Sequence, residues 1–170
     1  MDVRAMGEYW HPGRPERTEL GRLVQAVKDE QRHDAIPELV DRLMAWAPTL
    51  GLPASGVLVA VPASPDRPNP ALTEVYTRFA ALVPLETAPA LLRRHATPRL
   101  RDLAPADRPA MATAAGYQVL ADCRDRTIVL IDDVVLTGTT LEHVGRLLLD
   151  AGATSVVGLA LARSRRADPG

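Results

Sequence analysis

The residues best suited to chemistry lie in one stretch, residues 127–141, which reads TIVLIDDVVLTGTTL. An apolar run ends in Asp132 and Asp133. After Val134, Val135 and Leu136, the residues Thr137, Gly138, Thr139 and Thr140 open a helical pattern. A glycine lets the backbone turn tightly and approach an anion with no Cβ in the way. The N–H groups at a helix start have no partner inside the helix and bind phosphate. The hydroxyls of Thr137, Thr139 and Thr140 add donors. Two ionised aspartates beside such a site repel the anion itself. They are better used as acceptors for sugar hydroxyls and as electrostatic partners of a metal ion or a cationic transition state. The stretch therefore predicts a ligand with a phosphate at one end and a diol near its middle, a ribose 5-phosphate unit. Helix capping alone would account for a lone Thr-Gly pair. Strand, paired aspartates, spacer and TGTT in one run are far more specific.

A second group of residues suits an anion. Residues 62–70 read PASPDRPNP, and four prolines in nine residues exclude helix and strand. In this loop Ala63, Ser64, Pro65 and Asp66 lead to Arg67. Small residues let backbone N–H groups approach oxygen atoms, Ser64 offers a hydroxyl, and Arg67 offers a guanidinium fork suited to phosphate. Further on, Arg93, Arg94, Arg99, Arg101 and Arg108 face only Asp102 and Asp107 within residues 93–108. A basic irregular segment of this kind can close over a polyanionic ligand and exclude water. Lys28 is the one lysine beside 19 arginines. With Asp29 and Glu30 next to it, it reads first as a helix-surface residue. His11, His33, His95 and His143 have no metal-ligand spacing. Trp10, Trp46, Tyr9 and Tyr76 read as packing residues, and an aromatic content of 4% argues against a groove for single-stranded nucleic acid.

These groups need elements to hold them. Thr18 precedes Leu20, Leu23, Val24 and Val27, which share one helical face. Ile36, Leu39, Val40, Leu43 and Met44 do the same, with Pro37 tolerated in the first turn. Residues 56–61 (GVLVAV), 127–131 (TIVLI) and 155–162 (SVVGLALA) are continuous apolar runs, the pattern of parallel strands buried on both faces. Helices are predicted over 71–82 and 139–151, the latter followed by Gly152, and a short apolar piece lies near Leu85. Residues 93–116 read as a long loop or small irregular subdomain. Residues 1–16 read as a loose lead-in and 163–170 as a frayed tail. Strands alternating with helices predict an α/β fold, a mainly parallel twisted sheet flanked by helices, in a single domain over 1–170. Both candidate loops leave the carboxyl end of a predicted strand, where ligands sit in such folds.

Composition narrows the classes. The chain has 170 residues, 46% hydrophobic and 24% charged, which excludes a disordered tail, a collagen and a disulfide scaffold. A net charge of -1 gives no global attraction to nucleic acid or membrane. Cys123 is the single cysteine, so neither an intrachain disulfide nor a Cys-pair zinc site can form. No stretch resembles a signal peptide or a membrane span, and the expected location is the cytoplasm.

With its aspartate pair and TGTT, residues 127–141 closely resemble the phosphoribosyl-pyrophosphate (PRPP) motif of type I phosphoribosyltransferases. Around it, LGRLVQAVKDE, VAVPASPDRPN, LLRRHATPRLRDLAPADR and GLALAR are similar to segments of the ComF-type subgroup, named from competence for DNA uptake. The subgroup's zinc finger is missing here, and Pro68, Pro70 and Leu100 depart from its pattern. The resemblance implies the type I phosphoribosyltransferase fold with an irregular hood or lid. It implies that residues 132–140 bind PRPP, with Asp132 and Asp133 holding the ribose 2′- and 3′-hydroxyls and Leu136–Thr140 cradling the 5′-phosphate. It further implies pyrophosphate binding by the loop Ala63–Arg67, with a non-proline cis peptide near Ala63 and Ser64. Lys28, Arg94 and Arg108 become lid or pyrophosphate contacts. Asp132, Asp133 and Arg67 become the catalytic group, and Mg²⁺ near Asp132 and Asp133 becomes the cofactor. Leu136 stands where some members carry an acidic base, so no general base is carried over. The implied activity is transfer of the 5-phosphoribosyl group from PRPP to a small-molecule acceptor, probed most simply as a nitrogen nucleophile. The alternatives are a non-catalytic PRPP- or nucleotide-binding regulator or competence accessory, and an unrelated phosphate-binding α/β domain. Neither a membrane nor direct nucleic-acid binding is expected, and many members of the family are dimers, which makes a homodimer the form to test.

Overall fold

The computed structural model of the chain describes residues 1–88, 92–94 and 116–164. In chain order its elements are β1 (Asp2–Ala5), α1 (Glu19–Lys28), α2 (Ile36–Trp46), β2 (Val57–Ala60), α3 (Pro70–Ala80) and β3 (Glu86–Thr87). There follow β4 (Leu92–Arg94), β5 (Tyr117–Val119), β6 (Thr127–Val135), α4 (Thr139–Asp150) and β7 (Ser155–Arg163). Five strands form one sheet in the order β1-β7-β6-β2-β3, and every pairing in it is parallel. β4 and β5 make a separate antiparallel pair. The α/β class and the mainly parallel sheet flanked by helices are therefore as the sequence predicts.

Parallel neighbours need crossovers, and right-handed crossovers decide which face each helix covers. From β2 the chain steps outward through α3 to β3, and from β6 it steps the opposite way through α4 to β7. Two right-handed steps in opposite directions put their helices on opposite faces. One core accordingly joins α1, α2 and α3 to Leu58, Val129, Ile131, Leu159 and Leu161. The other joins Leu141, Val144 and Leu148 of α4 to Val57, Val59, Ile128, Leu130 and Val156. The apolar runs carry no alternation in hydrophobicity because both faces are covered. The strand order reverses between β2 and β6, so the loops leaving their carboxyl ends flank a topological switch point.

Local signals explain the helix ends. The Thr18 hydroxyl accepts from the Gly21 N–H at 2.9 Å and caps α1. Pro37 lies in the first turn of α2. Asn69 caps α3 by accepting from the Leu72 N–H at 3.0 Å, with Pro70 in the first turn.

Two expectations are corrected. Residues 1–16 are not a loose lead-in. β1 pairs with β7 from Asp2↔Val157 to Ala5↔Ala160, and further bridges join Glu8 to Arg163 and Trp10 to Arg17. The reason is an open β7 edge that needs a partner, met by a strand too short to show a period. Likewise β6 does not stop at the aspartates. β7 continues to Arg163 and offers partners for Asp132, Val134 and Val135, which makes Asp132 and Asp133 strand residues. For the same reason Arg163 belongs to a strand rather than to a frayed tail; residues 165–170 lie outside the described residues.

Candidate functional site

Asp132, residues 134–140 and Leu141 line one cleft of about 140 Å³ at the carboxyl end of β6. A cleft of this size admits a phosphoryl group. Gly138 turns the chain from strand into helix at φ 87°, a left-handed conformation that favours glycine. α4 starts there with no side-chain cap, so its first-turn N–H groups remain available. Thr137 and Thr139 share a hydroxyl–hydroxyl bond of 2.8 Å, and the Thr139 N–H reaches Thr137 Oγ1 only at 3.4 Å. Leu136 is 58% exposed in this loop.

The two aspartates part company. Residues along a strand alternate between faces. Asp132 follows Ile128 and Leu130 and belongs to the α4 cleft. Its Oδ1 accepts from the Asp133 N–H at 2.9 Å. Asp133 follows Val129 and Ile131 toward the opposite face, where its Oδ1 meets the Lys28 ammonium at 3.0 Å. The side chains of this pair are 34% and 20% exposed. Burial disfavours the charged ammonium, but the charge of Asp133 and its hydrogen bond outweigh that cost and raise the Lys28 pKa above its ordinary value. Lys28, read first as a surface residue, is thus tied to the central strand.

The anchoring of Lys28 extends further. Its carbonyl oxygen accepts from Gln31 Nε2 and from Asn69 Nδ2, both at 2.8 Å. Gln31 Nε2 also donates to Asn69 Oδ1 at 2.8 Å. The end of α1, the start of α3 and the aspartate strand are therefore linked through Lys28. Gln31 carried no sequence signal. Asn69 belongs in the sequence to the loop that contains Arg67, and it sits at the end of that loop.

That loop follows β2 directly, and its Val61 N–H donates to the Ile131 carbonyl at 2.8 Å, beside Asp132. No cis peptide occurs among the described residues, which corrects the expectation at Ala63 and Ser64. The chain turns instead through a bond from the Arg67 N–H to the Ser64 carbonyl at 2.8 Å, which trans peptides satisfy. Ser64 is only 4% exposed, and its hydroxyl has no hydrogen-bond partner among the described residues. Ala63, Pro65, Asp66 and Arg67 are exposed, and none of residues 63–67 lines the cleft. Arg94 lies on β4, and Arg108 lies outside the described residues.

Tyr76 packs against the α1–α3 core, as a packing residue should. Its hydroxyl oxygen, however, is buried with no hydrogen-bond partner among the described residues. Burial first, then the charges of Asp133 and Asp132, hold its pKa well above the ordinary phenol value. Among the described residues no cluster of three His, Cys, Asp or Glu side chains is placed to hold a metal, and no helix is long and apolar enough to cross a membrane.

Comparison with known proteins adds the following. Residues 97–169 match the family model of the phosphoribosyl transferase domain, a segment that takes in β6, α4 and the cleft. No curated protein matches the chain. Similar solved structures include a Leishmania tarentolae HGPRT-ase at 19% identity, covering 84% of this chain and 73% of that one, with a TM-score of 0.41. A Trypanosoma cruzi hypoxanthine phosphoribosyl transferase is 14% identical over 84% and 71% of the two chains, with a TM-score of 0.46. A Staphylococcus aureus hypoxanthine phosphoribosyltransferase is 15% identical over 81% and 70%, with a TM-score of 0.47.

Proposed function

We propose that the chain is a Mg²⁺-assisted phosphoribosyltransferase that moves the 5-phosphoribosyl group from PRPP to a small nitrogen nucleophile and releases pyrophosphate. The observation that carries this reading is the cleft that joins Asp132 to the uncapped start of α4 through Thr137, Gly138 and Thr139. The family match over residues 97–169 supports it.

In this reading the 5′-phosphate takes the free N–H groups and hydroxyls of residues 137–140, and Asp132 accepts from a ribose hydroxyl. The bond from ribose C1 to the pyrophosphate oxygen breaks with its electron pair going to the leaving group. The acceptor's lone pair forms the new bond to C1 and its surplus proton passes to solvent. Asp132 and Asp133 stabilise the positive charge that develops on the ribose, and Arg67, exposed in its loop, receives the leaving pyrophosphate. The work is positioning and electrostatics, with no covalent enzyme intermediate. Asp132, the carboxylate that lines the cleft, fits a Mg²⁺ ion that is held mostly by its substrate's oxygens. Bound beside Asp132, the ion would supply charge neutralisation for the pyrophosphate.

Leu136, exposed in the cleft and unable to act as a base, favours a second reading in which PRPP binds without turnover. Calorimetric titration with PRPP, with and without Mg²⁺, tests the first step. Wild type should bind in a Mg²⁺-dependent way, and the Asp132→Asn/Asp133→Asn double variant should lose at least about tenfold in affinity, the scale of hydrogen bonds to charged groups. No binding to the folded wild type would remove the proposal. Pyrophosphate release with candidate acceptors then separates transfer from binding alone.

A further inference from the structure

We propose that Tyr76 is a positioning residue for Asp133, the second side-chain donor to that carboxylate beside the backbone N–H of Val134, and that it takes over when the Lys28 ammonium is drawn away. Three observations lead there. Asp133 Oδ1 is held by Lys28, which reaches it from the last residue of α1 on a flexible four-carbon stem. That ammonium is partly exposed, so an anionic ligand arriving at the neighbouring loops competes for it.

The second observation is the Tyr76 hydroxyl itself. A buried hydroxyl without a partner is rare and costly, and it calls for a state in which the partner is present. The third is its place in the fold. Asn69, Leu72 and Tyr76 follow one another at helical spacing on one face of α3. Asn69 holds the Lys28 carbonyl, and Leu72 is buried with Val24 and Val27 of α1 and Ile131 of β6. Tyr76 therefore stands on the α3 face turned toward α1 and the aspartate strand. The negative charges that bear on its phenol are those of Asp133 and then Asp132, which agrees with this placement.

The consequence is a carboxylate that keeps its bond from the Val134 N–H and has two alternative side-chain donors. In the ligand-free protein Lys28 holds Asp133 and the Tyr76 hydroxyl waits unpaired. With a polyanion bound, Lys28 turns to the ligand and Tyr76 keeps Asp133 oriented. Only the trigger rests on the PRPP reading; the exchange of donors does not.

A double-mutant cycle by urea unfolding of the ligand-free protein tests the exchange. In the wild-type background, Tyr76→Phe should leave the midpoint unchanged or raise it, because it deletes an unpaired hydroxyl. In the Lys28→Met background, the same substitution should lower the midpoint, because Asp133 has turned to Tyr76. Equal shifts in both backgrounds overturn the proposal. Lys28→Gln replaces Lys28→Met if the latter does not fold. Calorimetry adds the bound state: Tyr76→Phe should weaken PRPP about tenfold with wild type as control, the scale of one hydrogen bond to a charged group. An unchanged affinity overturns the bound-state half. A wild type that binds no PRPP defeats the functional reading and leaves the cycle to decide the exchange.

Discussion

Asp132 and Asp133 are neighbours in the chain, yet they answer to different surroundings. Asp132 borders the cleft, whereas Asp133 neutralises Lys28 on the other face of the sheet. Their single variants should therefore differ in kind. Asp132→Asn should cost ligand affinity, about tenfold or more, with a small effect on stability. Asp133→Asn should also lower stability, since it leaves the Lys28 charge without its partner; partial exposure limits that loss to about 1 kcal/mol. Parallel titrations and melts check both, and matching profiles for the two variants would contradict the division. Lys28 adds a pH signature. Its pKa is raised in the folded protein, so its stabilising contribution is complete below the unfolded value near 10.5 and is lost as pH rises through the higher folded value. The penalty for Lys28→Met should be flat across neutral pH and shrink only above about 10.5. A penalty that already fades near pH 7 would mean that another group carries it.

Elements transmit these side-chain effects. Asn69 both caps α3 and holds the end of α1 through the Lys28 carbonyl. Asn69→Ala should cost about 1 kcal/mol from the lost cap alone. It should also loosen Lys28, so the Lys28→Met penalty should be smaller in the Asn69→Ala background. Additive melts would show that the two are independent. Close approach matters at Gly21, where a Cβ would run into the Tyr9 carbonyl oxygen, backbone that cannot step aside. Gly21→Ala should therefore destabilise well beyond the usual surface substitution, by about 2 kcal/mol or more in a thermal melt. Which elements the sequence disclosed follows from the range of the forces involved. α1, α2 and α4 were legible from apolar spacing and from end signals such as Thr18 and Pro37, which act within a turn or two. The cleft was legible because its parts are contiguous from Asp132 to Leu141. The Lys28–Asp133 pair spans 105 positions and has no local sign. The role of Tyr76 is equally hidden, since an aromatic that packs and an aromatic with a stranded hydroxyl have the same pattern in the chain.

At the scale of the whole sheet, the central pair β2 and β6 carries the candidate site, while β1 and β3 are edges. The edge at β1 is built from the first residues of the chain and was missed because its pairing is wholly non-local. Val3 and Ala5 pack against the α4-side core, and Met1 lies against Gly145 and Gly158. Removing residues 1–5 should therefore act in two separable ways. It strips the ladder from one side of β7, so the β7 amides that face β1 should lose hydrogen-exchange protection. It also uncovers Val156 and the β7 side of α4, which should lower the thermal midpoint by several degrees, the shift that about 1 kcal/mol produces in a chain of this size. The aspartate strand lies one strand further in and keeps both of its neighbours, β2 and β7. Titration of the truncated protein with PRPP should consequently give an affinity close to that of the full chain. If affinity falls together with β7 protection, the cleft depends on the outer edge of the sheet, and the site extends across the sheet instead of resting on the switch point alone.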